Sequence, residues 1–481
     1  MMNESVDDAC GLDWLERQVR RELKIFHDYY QPWVPPAADK DGKPVTDVLI
    51  VGGGLYGMGL AWGLIRSKIT NIMVLDQAQE GLEGIWLTSA RMKTLRTAKE
   101  LTGLEFGIPS ISIHAYWEAK FGCAAWAELD RVPRLEWFRY LEWFRDVLDI
   151  PVRNNTEVVS IDGDSDLVRV TIRQGGKAET LFTRRLVLAT GLLGSGGAHV
   201  PTAIVKNLPA DRWAHSSDEI DFARLRGADV GVLGAGASAF DSAITSIENS
   251  AASAWLFCRR PEIPWLSAKR GLENAGFMRH FASFPDSYRW QFIKTIVETS
   301  IPPPRHTVER ALDHSNFHLC LGSPWVSSHM DANKVMVATP SGDHHFDFIV
   351  FGTGFDMDIA QRPEMSALAP YMLLWRDRFT PPEGEENEML LDQPYLGDAC
   401  EFQERMPGSC PVLGRVSVLG AAATLSTGPL FGGLNGLKFL LERMVEQTCR
   451  ALILETLDTF HDNYRKGLQV QRPPGALYST D

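Results

Sequence analysis

A glycine-rich turn near the start of the chain has the residue types and spacing of a dinucleotide-binding motif. Gly52, Gly54 and Gly57 follow the apolar residues 47–51 in a GxGxxG pattern. The first glycine permits a tight turn, the second lets the backbone approach a pyrophosphate, and the third lets a helix pack on the strand. Asp76 ends the next apolar stretch, where a carboxylate accepts hydrogen bonds from ribose hydroxyls. The pattern predicts a nucleotide site, and a plain strand–turn–helix is the alternative.

A second glycine-rich turn repeats the pattern further along the chain. Gly234 and Gly236 are followed by Ser238 and by Ala239, which stands at the third glycine position. The dinucleotide fingerprint tolerates alanine there. The turn therefore predicts a second nucleotide site.

Two arginines end the apolar stretch after the second turn. An acid at this place would repel a 2′-phosphate, whereas Arg259 and Arg260 would pair with it. The sequence therefore favours NADPH over NADH at the second site. The alternative is that both arginines lie at a solvated strand end.

Each turn must be positioned by a strand–helix–strand unit. The hydrophobic pattern predicts these elements at residues 47–51, 57–67 and 71–75, and again at 229–233, 237–250 and 254–258. Two further apolar stretches lead into glycine turns, at 186–191, which contains Gly191, and at 348–355, which contains Gly354. Helices are expected at 12–30 and 434–454, and residues 262–345 are expected to be irregular.

The order of these turns resembles class B flavoprotein monooxygenases, the group of flavin-containing, N-hydroxylating and Baeyer–Villiger monooxygenases. The resemblance covers about residues 47–440. Gly84 and Trp86 are similar to the family's glycine–tryptophan element beside the flavin, and residues 92–100 to a stretch placed against the flavin ring. The family's F-x-G-x-x-x-H motif is incomplete here, with only His215 recognisable, and Ala98 replaces an asparagine that touches the flavin.

The resemblance implies an α/β fold with two Rossmann-like domains, the NADPH domain inserted into the FAD domain. Residues 1–45 are expected to form a helical extension and linker. Residues 46–215 and 346–481 are expected to bind FAD, and residues 216–345 to bind NADPH.

The resemblance also implies a chemical cycle. NADPH reduces FAD, O2 forms a C4a-(hydro)peroxyflavin, and one oxygen atom passes to a small organic substrate, with N-oxygenation slightly favoured. Candidate catalytic residues are Arg96, within the stretch beside the flavin, and Asn435, whose amide and helix N-terminus could stabilise negative charge on the reduced ring. The alternatives are an NADPH-dependent flavin oxidase that releases H2O2 and a redox-sensing protein that holds FAD without turnover.

Composition limits the other function classes. The chain has 481 residues and a net charge of −13, which argues against a nucleic-acid partner. It has no long uncharged apolar run and no basic-then-apolar leader, so we expect a cytoplasmic protein without a membrane span, which could assemble as a homo-oligomer. The seven cysteines form no CxxC pair, and His314 and His318 lack further metal-ligand partners, so we expect neither a redox dithiol nor a metal site.

Overall fold

The computed structural model describes residues 10–27, 31–100, 103–164, 166–428 and 434–470. The strands are β1 (Ala37–Ala38), β2 (Pro44–Val51), β3 (Ile72–Leu75), β4 (Val152–Arg153), β5 (Thr156–Gly163), β6 (Val168–Gln174), β7 (Lys177–Leu188), β8 (Gly197–Ala198), β9 (Trp213–His215), β10 (Asp229–Leu233), β11 (Ser253–Phe257), β12 (Phe317–Cys320), β13 (Ser327–Asp331), β14 (Lys334–Thr339), β15 (Gly342–Phe346), β16 (Phe348–Phe351), β17 (Phe355–Asp356) and β18 (Val416–Val418).

The α-helices are α1 (Leu12–His27), α2 (Leu55–Arg66), α3 (Ile113–Phe121), α4 (Cys123–Glu128), α5 (Arg134–Val147), α6 (Thr202–Val205), α7 (Ala237–Glu248), α8 (Ala275–His280), α9 (Asp286–Thr299), α10 (Arg305–Leu312), α11 (Trp375–Arg378), α12 (Glu388–Leu391), α13 (Thr424–Thr427), α14 (Leu434–Glu455) and α15 (Leu457–Val470). No helix in the described ranges is both long and apolar enough to cross a membrane.

The first sheet contains the first predicted strand–helix–strand unit. Its strand order is β4-β3-β2-β7-β6-β5, with β18 parallel to β7 and β1 antiparallel to β2. Val48, Leu49 and Ile50 on β2 are fully buried, because helices and loops cover both faces of the parallel part of the sheet. The predicted helix at 12–30 is observed from residue 12 to residue 27, where the described range ends.

The second sheet is parallel throughout, in the order β12-β11-β10-β16-β9. In chain order it lies between β7 and β18 of the first sheet. The expected boundaries at 215/216 and 345/346 assign β9 and β16 to the FAD domain, although both strands pair within this second sheet. A glycine turn typical of the flavin domain follows β16 directly, and the division into an FAD and an NADPH domain stays a prediction.

The expectation that residues 262–345 are irregular is also wrong. They form helices α8, α9 and α10 and an antiparallel sheet of β13, β14 and β15. Helix α9 buries Trp290 and Ile293 against Trp375 and Leu425, so this segment packs on residues near the end of the chain. The segment thereby brings the second half of the inserted region next to the loop before α14.

Candidate functional site

The first glycine turn joins β2 to α2 in a close-packed geometry. Gly52 has a φ of +110°, which favours glycine, and a Cβ there would overlap the carbonyl of Ala189 on the neighbouring strand. A Cβ at Gly57 would overlap the carbonyl of Gly52. These two glycines therefore let the strand, the turn and the helix approach each other.

Gly54 differs from its neighbours because the space beside it is open. A Cβ at Gly54 would meet nothing nearer than the Cα of Gly84, at 3.6 Å. Gly54 is also the N-cap of α2, whose first backbone N–H groups lack partners within the helix. A cavity of about 90 Å³ lined by Gly53, Glu83, Trp86 and others lies beside the turn. An open glycine at a helix N-terminus fits the pyrophosphate of a dinucleotide.

The Asp76 carboxylate secures the same turn. Its Oδ2 accepts a hydrogen bond from the Gly53 N–H at 2.7 Å, and its Oδ1 accepts one from the Ala78 N–H at 2.8 Å. Burial raises the pKa of Asp76, against the lowering effect of these two donors. The structure thus gives Asp76 a structural role, and its contact with a ribose stays a prediction.

The ends of β7 and β18 add two more turns to this edge of the first sheet. Gly191 has a φ of +67°, and the Ser195 hydroxyl donates to its carbonyl at 3.1 Å. The Ala422 N–H donates to the same hydroxyl, which links this turn to the turn at Gly420. Ligands of open α/β sheets bind outside the carboxyl ends of the strands, where these turns meet.

The element around Trp86 is held by helix α5. Trp86 is half-buried and packs edge-on against Trp137, with ring centroids 6.1 Å apart. Arg134 donates to the carbonyl of Trp86 and, at 3.1 Å, to that of Met92. Arg134 of α5 thus holds one carbonyl in each of the two predicted flavin-side segments, 84–86 and 92–100.

The second glycine turn reproduces this geometry with one exchange. A Cβ at Gly234 would overlap the carbonyl of Gly352, and a Cβ at Gly236 would meet nothing within 4 Å. Ala239 stands where the first turn has a glycine, and a Cβ at Gly352 would meet that of Ala239 at 2.5 Å. Gly352 thus supplies the close approach that the missing glycine would have allowed. Ser238 is exposed in the first turn of α7.

The two arginines after β11 have different surroundings. Arg260 donates to the carbonyls of Glu298 at 2.9 Å and Thr299 at 3.2 Å, and to the Ser300 hydroxyl at 2.9 Å. Arg259 is exposed, and among the described residues none pairs with its guanidinium. Arg259 is therefore the better placed of the two for a ligand phosphate.

Gly354 and His215 lie together where the second sheet ends. Gly354 has a φ of +90°, and its carbonyl accepts a hydrogen bond from the His199 N–H at 3.0 Å. The buried His215 ring packs edge-on against Phe355, and burial lowers the pKa of this histidine. His215, the histidine of the incomplete F-x-G-x-x-x-H motif, thus lies at the end of β9, the first strand of the second sheet in chain order.

Arg96 contacts helix α7, which follows the second glycine turn. Its guanidinium pairs with the Asp241 carboxylate of α7 at 2.6 Å, and the Asp241 side chain is only 4% exposed. Lys93 pairs with Glu248 at the other end of α7, at 2.9 Å. The stretch beside the first turn therefore holds the helix of the second turn, and a catalytic role of Arg96 stays a prediction.

Asn435 contacts the segment that connects β11 and β12 of the second sheet. Its Nδ2 donates to the Glu273 Oε1 at 2.7 Å. Burial lowers the pKa of the nearby Lys269, whereas the charge of Glu273 opposes this shift. The loop expected to join residues 424 and 437 is described only up to Gly428 and from Leu434 onward.

A buried arginine anchors α13 in that loop. Arg289 of α9 donates to the Ser426 carbonyl at 2.9 Å and to the Tyr395 hydroxyl at 2.8 Å, and its guanidinium lies over the ring of Trp375. Helix α9 therefore fixes the backbone of α13 at Ser426.

The sequence interpretation missed Lys269, Glu273, Asp241 and Arg289. Asp241 offered one signal, because it is a carboxylate on the small-residue helix that follows the second turn. Lys269 and Glu273 lie in a segment without a motif, so no sequence signal pointed to them. No group of three or more potential metal ligands is found in the described part of the chain, where His318 stacks on Trp255.

Comparisons with known proteins agree with this architecture. Residues 49–263 match the family described as pyridine nucleotide-disulphide oxidoreductase. The FAD-dependent urate hydroxylase of Xanthomonas campestris is 37% identical over 456 residues, which are 94% of this chain and 96% of that protein. The ornithine hydroxylase of Pseudomonas aeruginosa shares the fold, with a TM-score of 0.68 and 17% identity over 85% of this chain and all of that one. The ornithine N-hydroxylase of Kutzneria sp. 744 gives a TM-score of 0.66 at 18% identity, over 85% of this chain and all of that one.

The similarity to the Xanthomonas hydroxylase, together with the two nucleotide turns, identifies a flavin-dependent monooxygenase with the cofactors FAD and NADPH. More particularly, the chain belongs to the class B flavin-dependent monooxygenases, in the family of the Xanthomonas urate hydroxylase.

Proposed function

We propose that this enzyme is an NADPH-dependent hydroxylase that transfers one oxygen atom from O2 to urate or to a closely related heterocyclic anion. The observation that carries the proposal is the similarity to a urate hydroxylase over almost the full length of both chains. The hydrogen bond between Asn435, at the N-terminus of α14, and Glu273 supports it, because Glu273 also interacts with the positive charge of Lys269 and so connects an amide with a cation.

FAD, when bound, would supply the redox and oxygen-transfer chemistry, with NADPH as the source of electrons. The open turn at Gly54 and the N-terminus of α2 hold the FAD pyrophosphate. The turn at Gly236 holds the pyrophosphate of NADPH, and Arg259 pairs with its 2′-phosphate.

The chain's own groups orient the substrate. Urate is an anion at neutral pH, so we assign Lys269 as the cation that binds it. A bound anion would offset the effect of burial, which lowers the pKa of Lys269. The Nδ2 of Asn435 donates a hydrogen bond to Glu273. The amide oxygen of Asn435 is therefore free to orient a substrate N–H.

Lys269→Met tests this assignment. The substitution keeps the aliphatic stem and removes the charge, and we expect the KM for urate to rise at least about tenfold, because a charge-assisted hydrogen bond contributes ~1.5–3 kcal/mol. FAD content should not change. Lys206→Met, at an exposed position directly after α6, is the matched control.

The same assay separates the substrate classes. Urate-stimulated NADPH oxidation is compared with stimulation by ornithine, lysine, cadaverine, thioethers and ketones. Stimulation by an amine but not by urate would overturn the proposed substrate and support the N-oxygenation expected from the sequence. That preference, and the oxygen-carrying flavin adduct, stay predictions.

A further inference from the structure

Helix α15 has no buried side chain among those that the structure describes. It is 14 residues long, and all of its described side chains, at residues 457–467, are exposed. The preceding helix α14, in contrast, buries nine residues, including Leu452 near its end. An isolated helix of about 12–15 residues is only marginally stable in water. The packing that usually stabilises a helix of this length is therefore not provided by the described part of the chain.

One face of α15 is apolar. Leu457, Phe460 and Tyr464 follow each other at spacings of three and four residues, so they lie on one side of the helix. Their exposed fractions are 50%, 44% and 59%. Leu454, at the end of α14, is 57% exposed and extends this apolar surface towards the body of the molecule. We call Leu457, Phe460 and Tyr464 the α15 stripe, and its spacing is typical of a helix that packs against another helix.

Outside the stripe, α15 carries charges of opposite sign in its two halves. Asp458 and Asp462 lie in the first half of the helix. Arg465 and Lys466 lie in the second half. Within the ranges that the structure describes, no residue forms an ion pair with any of these four side chains. Two such helices packed antiparallel would place the acidic half of each beside the basic half of the other, so α15 is complementary in charge to a second copy of itself.

The charge pattern also distinguishes a second copy from a lipid surface. Helices that lie on membranes are rich in lysine and arginine on their polar face, which attract anionic lipids. The two acids and two bases of α15 balance each other, so this attraction would be missing. A second copy of the chain offers both an apolar stripe and charges of the opposite sign at the matching ends.

We propose that α15 packs antiparallel against α15 of a second copy of this chain, about a two-fold axis close to Phe460. Leu457 then faces Tyr464 of the second copy, and the symmetry repeats the same contact in reverse. Asp458 lies beside Arg465 of the second copy. A contact between two short helices is small for a protein interface, so the dimer dissociates on dilution. The inference is independent of the identity of the oxygenated substrate.

Sedimentation velocity of the FAD-loaded full chain, measured over a range of concentrations, tests the proposal. We expect a reversible equilibrium between monomer and dimer. Phe460→Glu should raise the dissociation constant of the dimer at least about tenfold, because a carboxylate would be buried in the stripe without a partner. Thr459→Glu is the matched control, since it adds the same charge at an exposed neighbouring position outside the stripe and should dimerise as the unmodified enzyme does. FAD content and the NADPH oxidation rate should be unchanged in both variants.

An exchange of charges tests the antiparallel arrangement. Asp458→Arg should weaken the dimer at least about threefold at low ionic strength, because each dimer would lose two ion pairs and gain two repulsive contacts. Adding Arg465→Asp to this variant should restore the original dissociation constant, since both pairs form again with their signs exchanged. In a parallel pair, positions 458 and 465 would lie at different heights along the helices, and the second substitution would bring no recovery.

Several results would overturn the proposal. The first two are a monomer at every concentration and a dimer that Phe460→Glu leaves intact. The next two are unchanged dimerisation of Asp458→Arg and the failure of Arg465→Asp to restore the dimer. Flotation with phosphatidylserine vesicles adds a last outcome, because binding of the unmodified enzyme that Phe460→Glu abolishes would show that α15 docks on a membrane instead.

Discussion

Single glycines in the two turns have two separate tasks. Gly52 and Gly57 let backbone segments approach each other, so a side chain at either position would disturb the protein itself. Gly54 and Gly236 face open space, so a side chain there would displace a ligand but leave the fold intact.

Gly54→Val and Gly236→Val form a reciprocal pair of variants. We expect Gly54→Val to lose bound FAD, and Gly236→Val to keep FAD near one per chain but to lose saturation by NADPH. Flavin absorbance and NADPH titration measure both properties, and each variant serves as the folding control for the other. Stoichiometric FAD in Gly54→Val would contradict the assignment of the first site.

The unequal surroundings of the two arginines predict unequal effects on cofactor choice. Arg259→Ala should raise the KM for NADPH at least about tenfold and leave that for NADH nearly unchanged, since a charged phosphate contact contributes ~1.5–3 kcal/mol. Arg260→Ala should act less selectively, because Arg260 is tied to the end of α9. Steady-state kinetics with both cofactors give the answer, and an equal loss with NADPH and NADH in Arg259→Ala would show a structural role.

Among single residues, those whose function follows from a local pattern can be predicted from the sequence. The glycines of both turns could be predicted because a strand, a turn and a helix are consecutive in the chain. Glu273 could not, because its partner Asn435 is far away in sequence, and Lys269 could not, because it lies in a segment without a motif. Even for Arg259 and Arg260, only the folded chain distinguishes the exposed side chain from the tethered one.

Among the elements, the stretch before α3 and helix α7 are coupled across the two sheets. Arg96 pairs with the buried Asp241 of α7, Lys93 forms only a solvent-exposed ion pair with Glu248, and Arg91 donates to the carbonyls of Ser216 and, at 2.6 Å, Asp218. The contacts place the second glycine turn in a fixed relation to the first. Hydride transfer depends on such placement, since reacting atoms must come within about 3–3.5 Å.

A double-mutant cycle distinguishes this positioning role of Arg96 from catalysis. If the Arg96–Asp241 pair positions α7, then Arg96→Ala and Asp241→Asn should slow flavin reduction by NADPH to a similar extent, and the double variant should be little slower than either. The coupling should be on the order of 0.5–3 kcal/mol, the usual range for residues in contact. Anaerobic stopped-flow reduction measures it.

A catalytic role of Arg96 would give a different pattern. Flavin reduction by NADPH would then be slow in the Arg96→Ala variant. In the Asp241→Asn variant it would be nearly as fast as in the wild-type enzyme. Lys93→Ala, which removes an exposed ion pair with Glu248, is the control and should have little effect.

The elements that the sequence predicted well are those with strong hydrophobic patterns. Strands β2 and β10 and helices α2 and α7 lie within a few residues of their expected positions. The helices and strands of residues 262–345 were missed because their patterns are weak. Strands β13 and β15 carry serine, histidine and aspartate, and α9 buries an arginine among its apolar residues.

For the whole molecule, the fold follows from two large sheets that are connected by the chain segments before β9 and after β16, two strands of the second sheet. These two sheets and their order could be predicted from the order of the turns, whereas the antiparallel sheet of β13, β14 and β15 could not. The exact boundaries could not, because strand pairing across the two connections decides which sheet receives a short strand.

The proposed activity uses electrons from NADPH to insert oxygen into a substrate. The most direct test is a balance of NADPH consumed, product formed and H2O2 released under ¹⁸O2, with urate as the first substrate and the amine panel as the second. We predict one labelled oxygen atom in the product for each NADPH, with little H2O2. Consumption of NADPH with equivalent H2O2 and no labelled product from any tested substrate would contradict the account and identify a flavin oxidase.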